Sequence, residues 1–310
     1  MKAIVCTRYG APEVLKLKNK VKPEPEDNQV LIKIYASSVT QSDVFLRSSR
    51  VPLKLLIPMR IAIGILKPRK SVVGLVLSGE VEAAGKNIHR FKAGDQVYGL
   101  TGYGLGAYAE YKCMKEKDSP LNGCLAKKPT SITHEEATAA AYGGLLAFQF
   151  MEKGNIRNGQ HVAIYGASGT SGIIAVQYAK YLGAHVTGVC STKNLELVKS
   201  LGADEVIDYT TDEFLSMEKS FDFVLDAVGM IKTSKTKRKL KNSLTPGGAY
   251  ASIDDGNLLL DASRLDYISQ LIEEGYIQPI VEKSYPLEQV AEAHAYVEKG
   301  HKVGGVALTI

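Results

Sequence analysis

The stretch 161–180, HVAIYGASGTSGIIAVQYAK, limits what this chain can fold into more than any other. An apolar strand enters three glycines, Gly166, Gly169 and Gly172, set three residues apart, and a largely apolar helix leaves them. Such a turn needs small residues. The chain reverses sharply, its backbone comes close to a bound group, and the helix packs tightly on the strand. The helix start then offers free N–H groups and a partial positive charge. Gly166, Ala167, Ser168, Gly169, Thr170, Ser171 and Gly172 therefore read as a cradle for a pyrophosphate. Three glycines alone also occur in packing turns of other α/β domains. The strand before them, the helix after them and the βαβ unit around them favour a dinucleotide.

The second strand of that unit runs into Cys190, Ser191, Thr192, Lys193 and Asn194, with no acid from Gly188 to Asn194. An NAD site usually carries Asp or Glu there, accepting hydrogen bonds from the adenosine ribose. Two hydroxyls and Lys193 suit a ribose 2′-phosphate instead, through hydrogen bonds and a point charge. Tyr209, after the third strand, is placed to pack on the same end of the cofactor. The pattern favours NADPH over NADH. The plainer alternative is that Ser191 and Thr192 cap the following helix while Lys193 is solvated.

With 310 residues and a usual ~150 per domain, two domains are expected. Residues 2–7, 29–35, 72–83 and 108–114 are short runs rich in Val, Ile, Leu and Tyr, divided by turn signals, and predict an antiparallel β unit. The texture changes after Pro129. Thr133 and Glu136 form a capping box ahead of an apolar helix over 134–153. Strands (161–165, 185–190, 205–207, 221–227, 248–252) then alternate with helices, among them 171–182 and 195–201, the signature of a parallel sheet. The last stretch, 277–310, predicts a helix over 287–299, stopped by Gly300, and a strand over 303–310 that returns to the first β unit.

Hydrophobic residues at 45% and charged residues at 23% exclude a disordered or collagen-like chain. A net charge of +5 is too weak to argue for nucleic acid. The densest basic run, Lys232, Lys235, Lys237, Arg238, Lys239 and Lys241, holds no stacking aromatic and reads as the solvated face of a helix. The four cysteines form no C-x-x-C pair, so neither a zinc knuckle nor a disulfide framework is expected, and the cytoplasm suits the chain. The most apolar stretch, 51–66, is broken by Pro52, Lys54, Pro58 and Arg60, and predicts no membrane span.

Several further segments complete the picture: 1–17, VLIKIYASSVTQSD over 30–43, GEVEAAG over 79–85, FKAGDQVYG over 91–99, LGADEVIDY over 201–209 and DAVG over 226–229. Together with the glycine turn they resemble the medium-chain dehydrogenase/reductases, and among these the zinc-independent quinone oxidoreductases, along essentially the whole chain. The resemblance implies an α/β fold: a Rossmann-type doubly wound parallel sheet over 126–274 and a discontinuous GroES-like β domain over 1–125 and 275–310, with the active site between them. Zinc-dependent relatives carry a Cys where this chain has Thr40 and a His where it has Leu75, and these two cannot act as ligands. No catalytic metal is expected. The family pattern puts Thr40 in the place of a nicotinamide-contacting Asn, aligns Asp43 with an acidic site position, and includes Arg47. A purely structural Asp43–Arg47 pair fits the spacing equally well. Leu146 stands where many relatives have a nicotinamide-facing Thr, and Gly229 ends a strand at the cofactor side. Residues 51–70, with six Lys or Arg when Arg50 is counted, fall where relatives have a variable substrate loop, and Pro52, Pro58 and Pro68 argue against a membrane-surface helix.

Without a Lewis acid, the alkoxide of a simple alcohol lacks an obvious stabiliser. A quinone or an α,β-unsaturated carbonyl delocalises the incoming charge itself. The expected activity is therefore metal-free hydride transfer from NADPH to such an acceptor, with Thr40 and Asp43 the candidate catalytic residues. Alternatives are an NADP-dependent alcohol or aldehyde oxidoreductase, or a cofactor-binding sensor without turnover. The expected assembly is a homodimer joined through the edge strand at 248–252.

Overall fold

In the computed structural model, residues 1–48, 57, 60–61, 63–211, 214, 220–229 and 235–310 are described; Arg50, Lys54, Pro52, Pro58 and Lys232, named above, lie outside them. The chain forms two compact units. The first comprises Met1–Tyr142, Leu260–Ser269 and Val281–Ile310, the second Gly143–Leu259 and Gln270–Ile280.

The first unit is built on strands β1 (Lys2–Cys6), β2 (Leu15–Asn19), β3 (Gln29–Ser38), β4 (Val76–Ala84), β5 (Gln96–Leu100), β6 (Tyr111–Lys115) and β7 (Cys124–Lys127). β1 and β2 pair antiparallel. The others join the last strands of the chain in one sheet of order β13-β14-β3-β4-β5-β7, with β6 also paired to β3; β13 is Val281–Pro286 and β14 is Gly305–Thr309. The apolar positions of β3 bury Val30, Ile32 and Ile34 in one cluster with Leu77 and Val81 of β4, Val97 of β5 and Leu125 of β7. β14 lies antiparallel to β3, with Ala307 opposite Ser38, so the C-terminal strand does return to the first β unit. β2 escaped the sequence reading because only Leu15 of its five residues is buried, and its exposed lysines mask the pattern.

The second unit carries the parallel sheet: β8 (His161–Tyr165), β9 (His185–Cys190), β10 (Glu205–Asp208), β11 (Phe221–Asp226) and β12 (Leu244–Ser252). All neighbours run parallel in the order β10-β9-β8-β11-β12. The chain winds outward from β8 to β10, then restarts on the other side of β8 with β11. That reversal opens a crevice beyond the carboxyl ends of β8 and β11, where open α/β sheets bind their ligands. β12 is longer than the sequence suggested and contains Pro246. As the edge strand it tolerates a residue with no N–H to donate. Among the described residues, no helix is long and apolar enough to cross a membrane.

Candidate functional site

β8 delivers Gly166 at φ +80°, a conformation open chiefly to glycine. Its N–H and that of Ala167 bond to the Val189 carbonyl of β9 at 2.9 and 3.2 Å, which fixes the reversal. Gly169 is the N-cap of the helix Thr170–Tyr181 and, being glycine, brings no capping side chain to its first turn. No acid stands in that turn, so its positive end is uncompensated. A methyl group at Gly172 would sit 2.1 Å from the Gly166 carbonyl oxygen, so only glycine lets the helix pack this close to the turn. One at Gly166 would sit 2.6 Å from Val228 Cγ2, which brings the β8 turn against the loop after β11. Gly166–Gly172 thus has the backbone shape that suits an anion at a helix start, at the sheet's switch point.

At the end of β9, Ser191 precedes the turn Thr192–Asn194, where Lys193 is exposed. Ser191 makes no side-chain cap to that turn. Instead Asn194, which is buried, donates through Nδ2 to Ser168 Oγ at 2.9 Å and to Ser191 Oγ at 3.3 Å. It ties the glycine turn to the turn after β9, a role that spacing alone did not announce. Tyr209 bonds through its N–H to the Cys190 carbonyl at 3.1 Å, and its ring meets Tyr165 edge-on at 5.7 Å.

The sequence reading missed an acid here. Asp208, opposite Cys190 in the parallel register, accepts hydrogen bonds from the Thr192 hydroxyl and from the Thr210 hydroxyl and N–H, the last two at 2.6 and 2.8 Å. Burial alone would raise its carboxyl, but these bonds outweigh that and hold it below the ordinary value. The residues that follow β9 hold no acid, whereas Asp208 arrives from the adjacent strand. Thr192 is accordingly a partner of Asp208.

At the end of β11 the fully buried Asp226 organises the other lip. One oxygen accepts from the N–H groups of Val228 and Gly229 at 3.0 and 3.2 Å. The other accepts from Tyr250 at 2.9 Å and Ser252 at 3.4 Å, and pairs with the Lys237 ammonium at 2.7 Å. Lys237 also donates to the Gly229 carbonyl. Burial, then the Asp226 charge, pushes the Tyr250 phenol well up. Gly229 sits at φ +70°, and a methyl group there would meet Asp254 Oδ2 at 2.3 Å. The helix Lys235–Asn242 is therefore not simply a solvated basic face. Lys237 turns inward because a buried carboxylate needs a counter-charge, and Lys241 lies over the Tyr250 ring at 4.4 Å.

In the first unit, Thr40 and Asp43 open the helix Gln41–Ser48 as a capping box. The Thr40 N–H and hydroxyl donate to Asp43 Oδ2 at 2.9 and 2.6 Å, and the Asp43 N–H donates to Thr40 Oγ1 at 3.2 Å. Burial raises the Asp43 carboxyl to about 6 against the hydrogen bonds from Thr40 and Tyr108. Arg47 does not pair with Asp43; it donates to the Gly10 carbonyl at 2.6 Å and pairs with Glu298 at 2.8 Å. Nearby His294 is buried against Tyr108 at 3.3 Å, and burial followed by the Arg47 charge lowers it to about 3. In the second unit Leu146 is buried. The positions expected to hold zinc ligands in relatives do not fit the ion: Thr40 gives its proton to Asp43, and Leu75 offers no donor. Among the described residues no group of three His, Cys, Asp or Glu is placed to hold a metal.

The chain matches the family profile of the alcohol dehydrogenase GroES-like domain over residues 26–122, and two zinc-binding dehydrogenase profiles over 172–254 and 255–308. It is 32% identical to a mitochondrial NAD(P)H oxidoreductase of Bos taurus, covering 100% of this chain and 89% of the relative. It is 31% identical to a chloroplastic NADPH-dependent alkenal/one oxidoreductase of Arabidopsis thaliana, covering 99% of this chain and 79% of the relative. The solved quinone oxidoreductase of Coxiella burnetii superposes with a TM-score of 0.82 at 25% identity, over 100% of this chain and 99% of that one.

Proposed function

The chain belongs to the medium-chain dehydrogenase/reductases of quinone oxidoreductase type, oxidoreductases that use a nicotinamide cofactor, and from that premise we propose that it reduces a quinone or an α,β-unsaturated carbonyl with NADPH and without a metal. The observation that carries the reading is the glycine turn after β8, with Gly166 at positive φ, Gly169 as the helix N-cap and glycine enforced at 172, at the switch point of the parallel sheet.

NADPH supplies a hydride from the C4 of its nicotinamide. The first-turn N–H groups of Thr170, Ser171 and Gly172 hold the pyrophosphate, and Ala167 and Ser168 line its approach. Ser191 and Lys193 bind the 2′-phosphate, with Tyr209 packed on the adenosine end. The Asp226 network holds Gly229 so that bare backbone faces the cofactor. We assign Thr40 and Asp43 to the substrate side as positioning residues, since the Thr40 hydroxyl is already engaged. The acceptor's conjugated system takes the incoming charge, and solvent supplies the proton. The named alkenal/one and quinone relatives support this acceptor class. Four unpaired cysteines suit a cytoplasmic setting, and the free edge of β12 suits a homodimer.

The test is an NADPH-oxidation screen of quinones, enals, enones and plain aldehydes. Turnover of the conjugated acceptors, unchanged by chelator, is expected. Aldehyde turnover alone would make the chain an alcohol or aldehyde oxidoreductase, and tight NADPH binding with no turnover would make it a sensor; either result overturns the proposal.

A further inference from the structure

No Asp or Glu occurs between Asp43 and Glu80, while Arg47, Arg50, Lys54, Arg60, Lys67, Arg69 and Lys70 do. In the described part of this stretch, large apolar side chains stand in water. Ile57 is 58% exposed, Ile61 60%, Ile65 69% and Leu66 86%. Ile57 and Ile61 are helical, and Ile65 and Leu66 lie in the bend that follows. Ile63, by contrast, is buried.

The tip beyond this helix is braced. The Arg60 guanidinium lies 3.4 Å from the centre of the Tyr9 ring and donates to the Ile65 carbonyl at 2.7 Å. Tyr9 donates to the Gly64 carbonyl at 2.7 Å, and the Arg69 N–H to the Ile63 carbonyl at 2.7 Å. A methyl group at Gly64 would sit 2.1 Å from the Lys67 carbonyl oxygen, so the turn is as tight as glycine allows. These contacts hold Ile65 and Leu66 outward, with Lys67, Arg69 and Lys70 exposed directly behind them. Lys112 of β6 adds to the same charge: burial, then repulsion from Lys70, lowers its ammonium to about 8.

We infer that this tip is a membrane-docking surface, seating Ile65 and Leu66 among the acyl chains of an anionic bilayer while Lys67 and Lys70 meet the headgroups. An apolar edge beside exposed lysines is the combination that binds such a surface. A second copy of the chain is a poor occupant, because a two-fold contact would bring like charges together. The inference stands apart from the reaction proposed above, so neither fails with the other.

The experiment is sedimentation of the full chain with vesicles of phosphatidylcholine alone or with about one-third phosphatidylglycerol, at low and high salt. Binding to the anionic vesicles at low salt, weak binding to phosphatidylcholine and loss in high salt are expected. Both I65D/L66D and K67E/K70E should lower the apparent affinity by about tenfold or more, with the melting temperature and NADPH binding retained. K235E/R238E, which reverses two exposed charges of the helix Lys235–Asn242, should change it by less than about twofold. Absence of binding, equal binding to both vesicles, or equal losses from the tip and control variants would overturn the inference. So would poly-glutamate binding that survives I65D/L66D and competes fully with vesicles, which would assign the patch to an acidic protein.

Discussion

The helix at Thr170 and the helix at Gln41 begin in opposite ways. The first has Gly169 as its N-cap, a residue with no side chain to close the turn. The second is closed by Thr40 and Asp43, which take up each other's polar groups. An open start is an invitation to an anion; a closed one is a means of fixing a backbone. The buried carboxylates divide similarly. Asp226 of the second unit has an ammonium, two hydroxyls and two N–H groups around it, whereas Asp43 of the first, among the described residues, is bonded to Thr40 and to no cation. A residue type found near a site therefore says less than which of its hydrogen-bonding groups remain unused.

The largest expected effect tests the better-supplied carboxylate. Lys237→Met leaves Asp226 buried and lacking its cation, which costs about 3 kcal/mol, at the low end for a broken buried pair because Lys237 is partly exposed. Urea unfolding measures it. Adding Asp226→Asn should recover part of the loss, since the uncompensated charge disappears. A Lys237→Met protein as stable as the parent would show that the pair does not hold the β11 lip together.

Next comes the glycine turn. Gly172→Ala forces a methyl group against backbone at 2.1 Å, and should lose about 2 kcal/mol of stability along with measurable NADPH binding. Gly169→Ala places its methyl 3.3 Å from the Gly166 carbonyl oxygen, so it should retain most of the stability while weakening NADPH. Cofactor titration paired with thermal melting separates them. Equal behaviour of the two variants would mean that the close packing at Gly172 is not what shapes the cradle.

The closed helix start has a pH signature. Asp43 is raised from 3.8 to about 6, so between those values the folded state holds a proton that the unfolded state has released, and stability falls as pH rises. His294 is lowered from 6.5 to about 3, so the unfolded state takes the proton first, and stability falls as pH drops below 6.5. The two oppose each other from about pH 4 to pH 6. Asp43→Asn should leave the His294 slope exposed, at most about 1.4 kcal/mol per pH unit, with stability increasing toward neutrality. His294→Gln should reverse that slope. Denaturant unfolding at several pH values reads both, and parallel profiles for parent and variants would refute the assignment.

These contrasts also explain what the sequence could disclose. The glycine turn was legible because its constraint is local: backbone shape and three residue types in one stretch. The capping box at Thr133 was legible for the same reason, with Thr133 and Glu136 bonded as their spacing predicted. The same motif with a shorter acid, at Thr40 and Asp43, was read through family resemblance as a site and not as a helix start. Arg47 pairs with Glu298, far along the chain, a partner that spacing could not reveal. Asp208 and Lys237 were missed likewise, since one reaches the site from a neighbouring strand and the other by turning inward from a basic helix.

The smallest expected effect concerns the ribose end, where the cradle's backbone logic gives way to exposed side chains. In the proposed reading Lys193 and Ser191 favour a 2′-phosphate, while Asp208, held in its charged form by Thr192 and Thr210, works against one. Removing Lys193 as Lys193→Ala should lower the NADPH-to-NADH ratio of kcat/KM by about threefold to tenfold, or about 1 kcal/mol at an exposed position. Ser191→Asp should lower it further by placing a second carboxylate beside Asp208. Asp208→Asn should move the ratio the other way, because the repulsion is lost while an amide oxygen remains to accept from Thr192. Raising the salt concentration should compress all three differences, since exposed charges are screened over about 8 Å at physiological ionic strength. If Asp208→Asn leaves the ratio unchanged while Lys193→Ala lowers it, Asp208 only anchors the Thr192 turn, and preference rests on the β9 side alone. If none of the three moves the ratio, cofactor choice lies outside this rim, and the absence of an acid after Gly188 was never its cause.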